Sequence, residues 1–281
     1  MTLDGGLAMV GAMSGEVVQA QPGFRTGLTC LFGGLKWLAT TSAAWPRAAV
    51  PMVLAMIVSV GLSGLSIAYV PDLVGAYFGA DHGQLAQVGI GVLKVVITIL
   101  AIAASALVAF ALAQPLSGMA LEGIVRLREA DLGAPTRPPT SFAADIGRSL
   151  QSLVVGYAFG VPALLGLFAL SLIVPMASVI LFPLKLFVAA MTVAWDICDY
   201  PLSVRGLRVS RRVALMRHHW RPILGFGIGL ALTGLIPCAL LLFLPGGVAG
   251  AAQLMWTIEQ WERTQGRGLF EVSPAPAALP A

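Results

Sequence analysis

Charged residues punctuate this chain so sparsely that the gaps between them define its elements. Between Arg47 and Asp72 lie 24 uncharged residues, and between Lys94 and Glu122 lie 27. Arg148 to Lys185 encloses 36, and Arg221 to Glu259 encloses 37. A helix needs about 20 apolar residues to cross a bilayer. The first two gaps each predict one crossing, near 48–70 and 88–113. The last two are too long for one crossing and barely long enough for two plus a turn.

Sidedness decides what the long gaps do. The segment 71–87 carries Asp72 and Asp81 and no Lys or Arg. The N-terminal region, the segments 114–150 and 201–221, and the tail hold every basic residue except Lys94 and Lys185. Positive charge concentrates on the cytoplasmic side of membrane proteins. Each long gap therefore leaves the inside and returns to it, which predicts helical hairpins near 149–200 and 222–258. Pro175 and Pro183, and then Pro237 and Pro245, mark the expected bends. The second hairpin leaves roughly 12–16 residues per arm, or about 18–24 Å of helix. That is short of a ~30 Å hydrocarbon core, so half-penetrating hairpins are expected. Two short tilted crossings remain the alternative for the first. Ahead of the first crossing, Phe24, Leu28, Leu31, Phe32, Leu35 and Leu38 recur at helical spacing. They predict an amphipathic helix in the interface, with Trp37 and Trp45 at headgroup level.

Composition sharpens the class. The chain has 281 residues, 17 of them basic and 13 acidic. A soluble domain of this length would carry roughly 70 charged residues. Hydrophobic residues make up 58% and mean hydropathy is +0.88. A water-soluble fold cannot bury that much apolar surface. The expectation is an all-α integral membrane protein with an amphipathic N-terminal helix, two long crossings and two hairpins. Residues 1–21 form a tail, 22–268 a single helical membrane domain, and 269–281 a Pro/Ala tail. Residues 1–20 lack the basic n-region of a signal peptide. The net charge of +4 fits cytoplasmic anchoring and calls for no nucleic acid.

The stretch from Trp195 to Trp256 resembles the CysZ / etoposide-induced membrane protein family. It is carried by Asp199-Tyr200-Pro201, Gly206-Leu207, and the basic run Arg208, Arg211, Arg212 and Arg217. Then come Gly225-Phe226-Gly227, Ile236-Pro237, and Pro245 followed by Val248-Ala249-Gly250-Ala251. Weaker similarity extends the match to about residues 22–256. The resemblance implies two long crossings, two half-penetrating hairpins, a homo-oligomer, and sulfate uptake at the bacterial inner membrane for cysteine synthesis. Charge placement puts both termini in the cytoplasm. Family sulfate permeases carry a Gly-Leu-Arg-type motif before the first crossing, where this chain reads Trp45-Pro46-Arg47. The arginine is kept and the glycine is not.

Four positions are candidates for holding an anion. Arg47 sets a guanidinium beside a helix start, where free N–H groups also point. Lys185 follows Pro183 at the expected start of a returning arm, where the helix dipole favours an anion. Gly246 and Gly247 follow Pro245 at the second expected bend and would expose backbone N–H groups. Each has a plainer reading: a lipid anchor for Arg47, a wet bend for Lys185, a tight turn for the glycines. Lys94 reads as snorkelling to the outer interface. The pairs Gly156/Gly160, Gly225/Gly229 and Gly246/Gly250 have G-x-x-x-G spacing, which suits close helix packing. Asp196 and Asp199 read as ion-pair partners for Arg205 or Arg208.

His218 and His219 adjoin, and on a helix they would point apart. No metal site and no cofactor is expected. No H-E-x-x-H, G-x-S-x-G or G-x-x-x-x-G-K-[ST] is present, so no catalytic residue is assigned and an enzyme is not expected. Two functions stay open: a permease for sulfate or a related oxyanion, and a non-transporting membrane scaffold of the same fold.

Overall fold

The computed structural model describes residues 21–78, 83–137, 142–233, 239–268 and 270. Both expected tails (except Gln21 and Phe270) and the bend residue Pro237 lie outside the described residues. Among those described, every regular element is helical. The elements are α1 (Phe24–Thr40), α2 (Trp45–Phe78), α3 (Gln84–Leu116), α4 (Gly118–Asp131), α5 (Phe142–Ile173), α6 (Ser178–Val204), α7 (Val209–His218), α8 (Trp220–Thr233) and α9 (Ala239–Thr264).

Among the described residues, three segments are long and apolar enough to cross a membrane: Ser42–Phe78, Gln87–Ala109 and Pro175–Val204. The first two overlap the stretches 48–70 and 88–113 placed by charge gaps. Their apolar side chains are almost wholly exposed, including Ile57, Val60, Ile99 and Leu107. That is what a helix facing lipid presents, since hydrocarbon is the medium that covers it. The third segment is the returning arm of the first hairpin. At 27 residues, or about 40 Å, α6 is longer than a half-crossing, and α5 has 32 residues. The first hairpin, expected to end at residue 200, runs on to Val204. In the second hairpin, α8 has the expected short length, 14 residues or about 21 Å, whereas α9 has 26 residues and exceeds the roughly 12–16 expected because it runs past Glu259 to Thr264.

The proline bends are only partly where expected. Pro175 opens the tight turn Pro175–Ala177 between α5 and α6. Pro183 and Pro245 instead lie inside α6 and α9, as the sixth and seventh residues of their helices. Proline near the start of an apolar helix removes one N–H without ending the helix when its neighbours re-satisfy the freed carbonyl.

The packed core lies at the other pole of the molecule. It gathers Leu31 of α1, Ile124 of α4, Ile197 of α6, Leu215 of α7, Phe226 of α8 and Met255 of α9. Glycines let these helices approach to backbone contact. A Cβ on Gly27 would fall 1.9 Å from the Pro222 carbonyl oxygen, and one on Gly225 would fall 2.1 Å from that of Phe24. On the other side of α8, a Cβ on Gly227 would fall 2.1 Å from the Ala190 carbonyl oxygen. The Gly225-Phe226-Gly227 run thus wedges α8 between α1 and α6, with Phe226 fully buried between the two glycines. Gly34 of α1 meets Gly246 and Gly250 of α9, and Gly156 and Gly160 of α5 meet Trp195 and Thr192 of α6.

This corrects the reading of α1. Its buried face is Gly27, Cys30, Leu31, Gly34 and Trp37, while Phe24 and Phe32 point outward. A hydropathy pattern gives glycine no weight, so it could not register the surface on which α1 packs. Trp37 is accordingly not at a headgroup but buried, donating its Nε1–H to Asp131, with Arg128 over the ring.

Gly27→Ala or Gly225→Ala is expected to destabilise the protein by about 1–3 kcal/mol, because backbone blocks the new methyl. Gly61→Ala, with nothing within 4 Å, is expected to be neutral or slightly stabilising. Thermal unfolding in detergent checks the contrast.

Candidate functional site

The end of the bundle formed by α4, α7 and the C-terminal ends of α6 and α9 collects most of the paired charge. The chain arrives there through a helix stop at the end of α6. Gly206 adopts φ +68, its N–H bonds Ser203 O, and Leu207 N–H bonds Leu202 O. This is a Schellman ending, which needs a residue without Cβ strain at that position. It turns the backbone so that Arg205 points into the bundle and Arg212 comes back beneath it.

Arg205 is almost wholly buried. Its Nη1 lies 2.7 Å from Glu129 Oε1, and its Nε donates to Glu259 Oε2 at 3.1 Å. Nη1 also donates to Pro201 O at 2.8 Å. Arg137 reaches the same two carboxylates, with Nη2 2.7 Å from Glu259 Oε2 and Nε 3.4 Å from Glu129 Oε2. Arg263 closes on Glu259 Oε1 at 2.7 Å from the solvent side. The network ties α4, α6 and α9 together. Burial pushes the Glu259 carboxyl up, but Arg205, Arg137 and Arg263 outweigh it and hold it below the usual carboxylate range.

Beside it, Arg212 pairs with Asp199 and donates Nε–H to Leu207 O at 2.8 Å. Arg212 is thus a partner of Asp199 beyond those expected from sequence. Arg208 is exposed and sits at the N-cap of α7. Tyr200 packs against the core and Pro201 is buried in the last turn of α6. Pro245 and Gly250 are buried in α9.

Sequence reasoning missed the partners Glu129, Arg137 and Glu259, and it separated two histidines that the structure joins. Helix α7 ends at His218, and His219 leaves it with φ −103 and ψ 35. The two rings lie 4.8 Å apart, nearly perpendicular, and both turn toward Glu262 of α9. His219 Nε2 is 2.8 Å from Glu262 Oε1 and His218 Nε2 is 3.8 Å from it. Burial lowers the His219 pKa, against the pull of Glu262. A cavity of about 220 Å³ adjoins, lined by Glu259, Glu262, Arg263, Arg267, Gly268 and Phe270.

The four anion candidates do not converge. Arg47 is the third residue of α2, exposed, with its side chain across Gly123 of α4. The helix start beside it offers fewer donors than expected. The turn Ser42–Ala44 runs straight into α2, Trp45 N–H bonds Ser42 O, and Pro46 has no N–H. Lys185 is the eighth residue of α6, about two turns in, with Nζ 4.5 Å from the Phe168 ring centre. Gly246 and Gly247 are not at a helix start. They are the eighth and ninth residues of α9, buried against Leu35 and Leu230, and their amides belong to the helix ladder. The bend expected there is absent at Pro245, because α9 continues through it. Lys94 runs across Gly75, near the turn end of the α2–α3 pair, the direction snorkelling requires.

A charge-knotted helical bundle carrying long apolar helices with exposed faces defines a multi-pass membrane protein. The family model described as sulfate transporter CysZ/etoposide-induced protein 2.4 matches residues 30–245, and the chain belongs to this family. Two similar relatives come from Pseudomonas fluorescens, and each bears the name sulfate transporter CysZ. The one from strain Pf-5 is 34% identical over 131 residues, covering 46% of this chain and 52% of the relative. The one from strain SBW25 is 32% identical over 117 residues, covering 42% and 45%. The chain thus spans about half the length of the curated relatives it matches.

Glu259→Ala is expected to cost about 3–5 kcal/mol, since it leaves Arg205 and Arg137 to share the single carboxylate of Glu129. Arg263→Ala, on the solvent side, is expected to cost about 0–1 kcal/mol. Because Glu259 is held below its unfolded pKa, its contribution is present above the ordinary carboxylate range and lost as pH falls through the folded value. Unfolding midpoints measured from neutral to acid pH check this, with the Glu259→Gln protein showing a shallower acid loss.

Proposed function

We propose that this protein is a permease for sulfate or a related inorganic oxyanion. It sits in the bacterial inner membrane with both termini cytoplasmic and works as a homo-oligomer. The observation that carries the reading is the family match across most of the chain, together with relatives named as sulfate transporters. The structure supports it in two ways. Lys185 holds a cation inside an apolar hairpin, and intramembrane cations are costly unless used. Arg47 holds another, exposed near the start of α2, with Nη1 donating only a long bond of 3.4 Å to Ala43 O.

The α2–α3 and α5–α6 pairs present mostly apolar exposed faces, and the one side-chain hydrogen bond between α2 and α3 among the described residues is Ser66 to Ser105 at 3.1 Å. The conducting path runs between copies, with Lys185 as its intramembrane cation. Arg47 acts by its guanidinium, since few backbone donors are free beside it. Gly246 and Gly247 have no part in anion binding and serve helix packing.

Labelled sulfate is expected to enter proteoliposomes holding the purified protein. Lys185→Ala and Arg47→Ala are each expected to weaken sulfate binding about tenfold or more, the loss of one charge-assisted hydrogen bond. Uptake no faster than in protein-free vesicles, with the protein correctly inserted, would overturn the permease reading in favour of a membrane scaffold.

A further inference from the structure

We propose that His218, His219 and Glu262 form a binding site for a divalent transition metal ion of the zinc type, clamping the α7–α8 junction onto the end of α9. Three observations carry it. The ligand atoms, one from each residue, all lie within 4.8 Å of one another. Glu262 is 1% exposed, and its Oε2 is buried with no hydrogen-bond partner among the described residues. A stranded carboxylate oxygen is costly, and a metal ion is one of the few ligands that relieves it without a further protein donor. Finally, two imidazoles and one carboxylate make a donor set suited to zinc, copper or nickel, not magnesium or calcium.

Two of the three separations lie close to those of such a site, and closing the group from its 4.8 Å span needs a small movement of the exposed His218. Tetrahedral zinc holds N and O ligands at about 2.0–2.2 Å, which puts the ligand atoms roughly 3.3–3.5 Å apart. The His219–Glu262 separation of 2.8 Å and the His218–Glu262 separation of 3.8 Å bracket that value. His219 packs its ring edge-on against Trp261 of α9, with centroids 5.7 Å apart, which fixes its orientation. His218 is the accessible member, its side chain 44% exposed, and gives the ion a way in. Of the three ligands, only Glu262 reaches the adjoining cavity, which Arg263 and Arg267 also line.

One group opposes the ion. Arg267 contacts His218 Nε2 at 2.9 Å from a perch over Trp261. It is exposed, so it can swing aside, but its charge and its hold on the ligand nitrogen weaken binding. Arg267 thus sets the affinity of the site, whether or not the protein transports anything.

The test uses the full chain, purified in detergent without a polyhistidine tag, and Zn²⁺ as the probe. About one zinc ion per chain is expected by elemental analysis after gel filtration, with a raised unfolding midpoint. His218→Ala should weaken zinc binding at least about tenfold. His218 is half-exposed, so this variant keeps the fold even if Glu262→Gln does not. Arg267→Ala should tighten binding, and His82→Ala should leave it unchanged. Zinc binding that is absent, or unaltered by His218→Ala, or lost in His82→Ala, would overturn the proposal.

Discussion

Hydrocarbon offers a peptide group no hydrogen-bonding partner, so the backbone must satisfy itself. That one constraint explains most of this molecule. It permits helices such as α2 and α3 to run for 34 and 33 residues with their apolar side chains outward. It also explains why proline at 51, 71, 162, 183, 201 and 245 sits inside helices without ending them. Leaving the helix would expose several polar groups at once, whereas one missing N–H exposes one.

Between helices the same medium removes the usual driving force. Lipid tails are as apolar as leucine, so association depends on close contact and on polar knots. The protein uses both, in different places. Glycines bring α1 against α8 and α9, and α8 against α6. At one end, Arg205, Arg137, Glu129 and Glu259 lock α4, α6 and α9 in register. The geometry of such a knot matters more than its count of charges. A buried pair adds little over an apolar substitute, but each member depends on the others for its own solvation.

The sequence made the crossings legible because charge is scarce and each charge carries information about sidedness. The packing role of Gly225, Gly229, Gly246 and Gly250 was legible from spacing alone. Partner choice was not. Asp199 had several arginines within reach in sequence, and only the glycine stop at Gly206 decides that Arg212 meets it while Arg205 turns toward Glu129. Bend positions were misplaced at Pro183 and Pro245 because proline is a weaker punctuation mark in an apolar helix than in a soluble one. Adjacent histidines diverge only on a continuous helix, and α7 stops between His218 and His219. The four anion candidates each looked reasonable by local rules, yet those rules carry no information about which distant segments meet.

The glycine seam on α1 has a consequence in time. Its partners on α9 lie some 220 residues downstream, from Cys30 to Gly250. At about 5–20 residues per second, synthesis of the intervening chain takes roughly 10–45 s. Throughout that interval α1 exists without the surface it will finally pack on. Its outward residues Phe24 and Phe32 give it a temporary home on the bilayer face. The earliest of the described helices to be made is thus among the last to be seated, since its docking waits for α8 and α9.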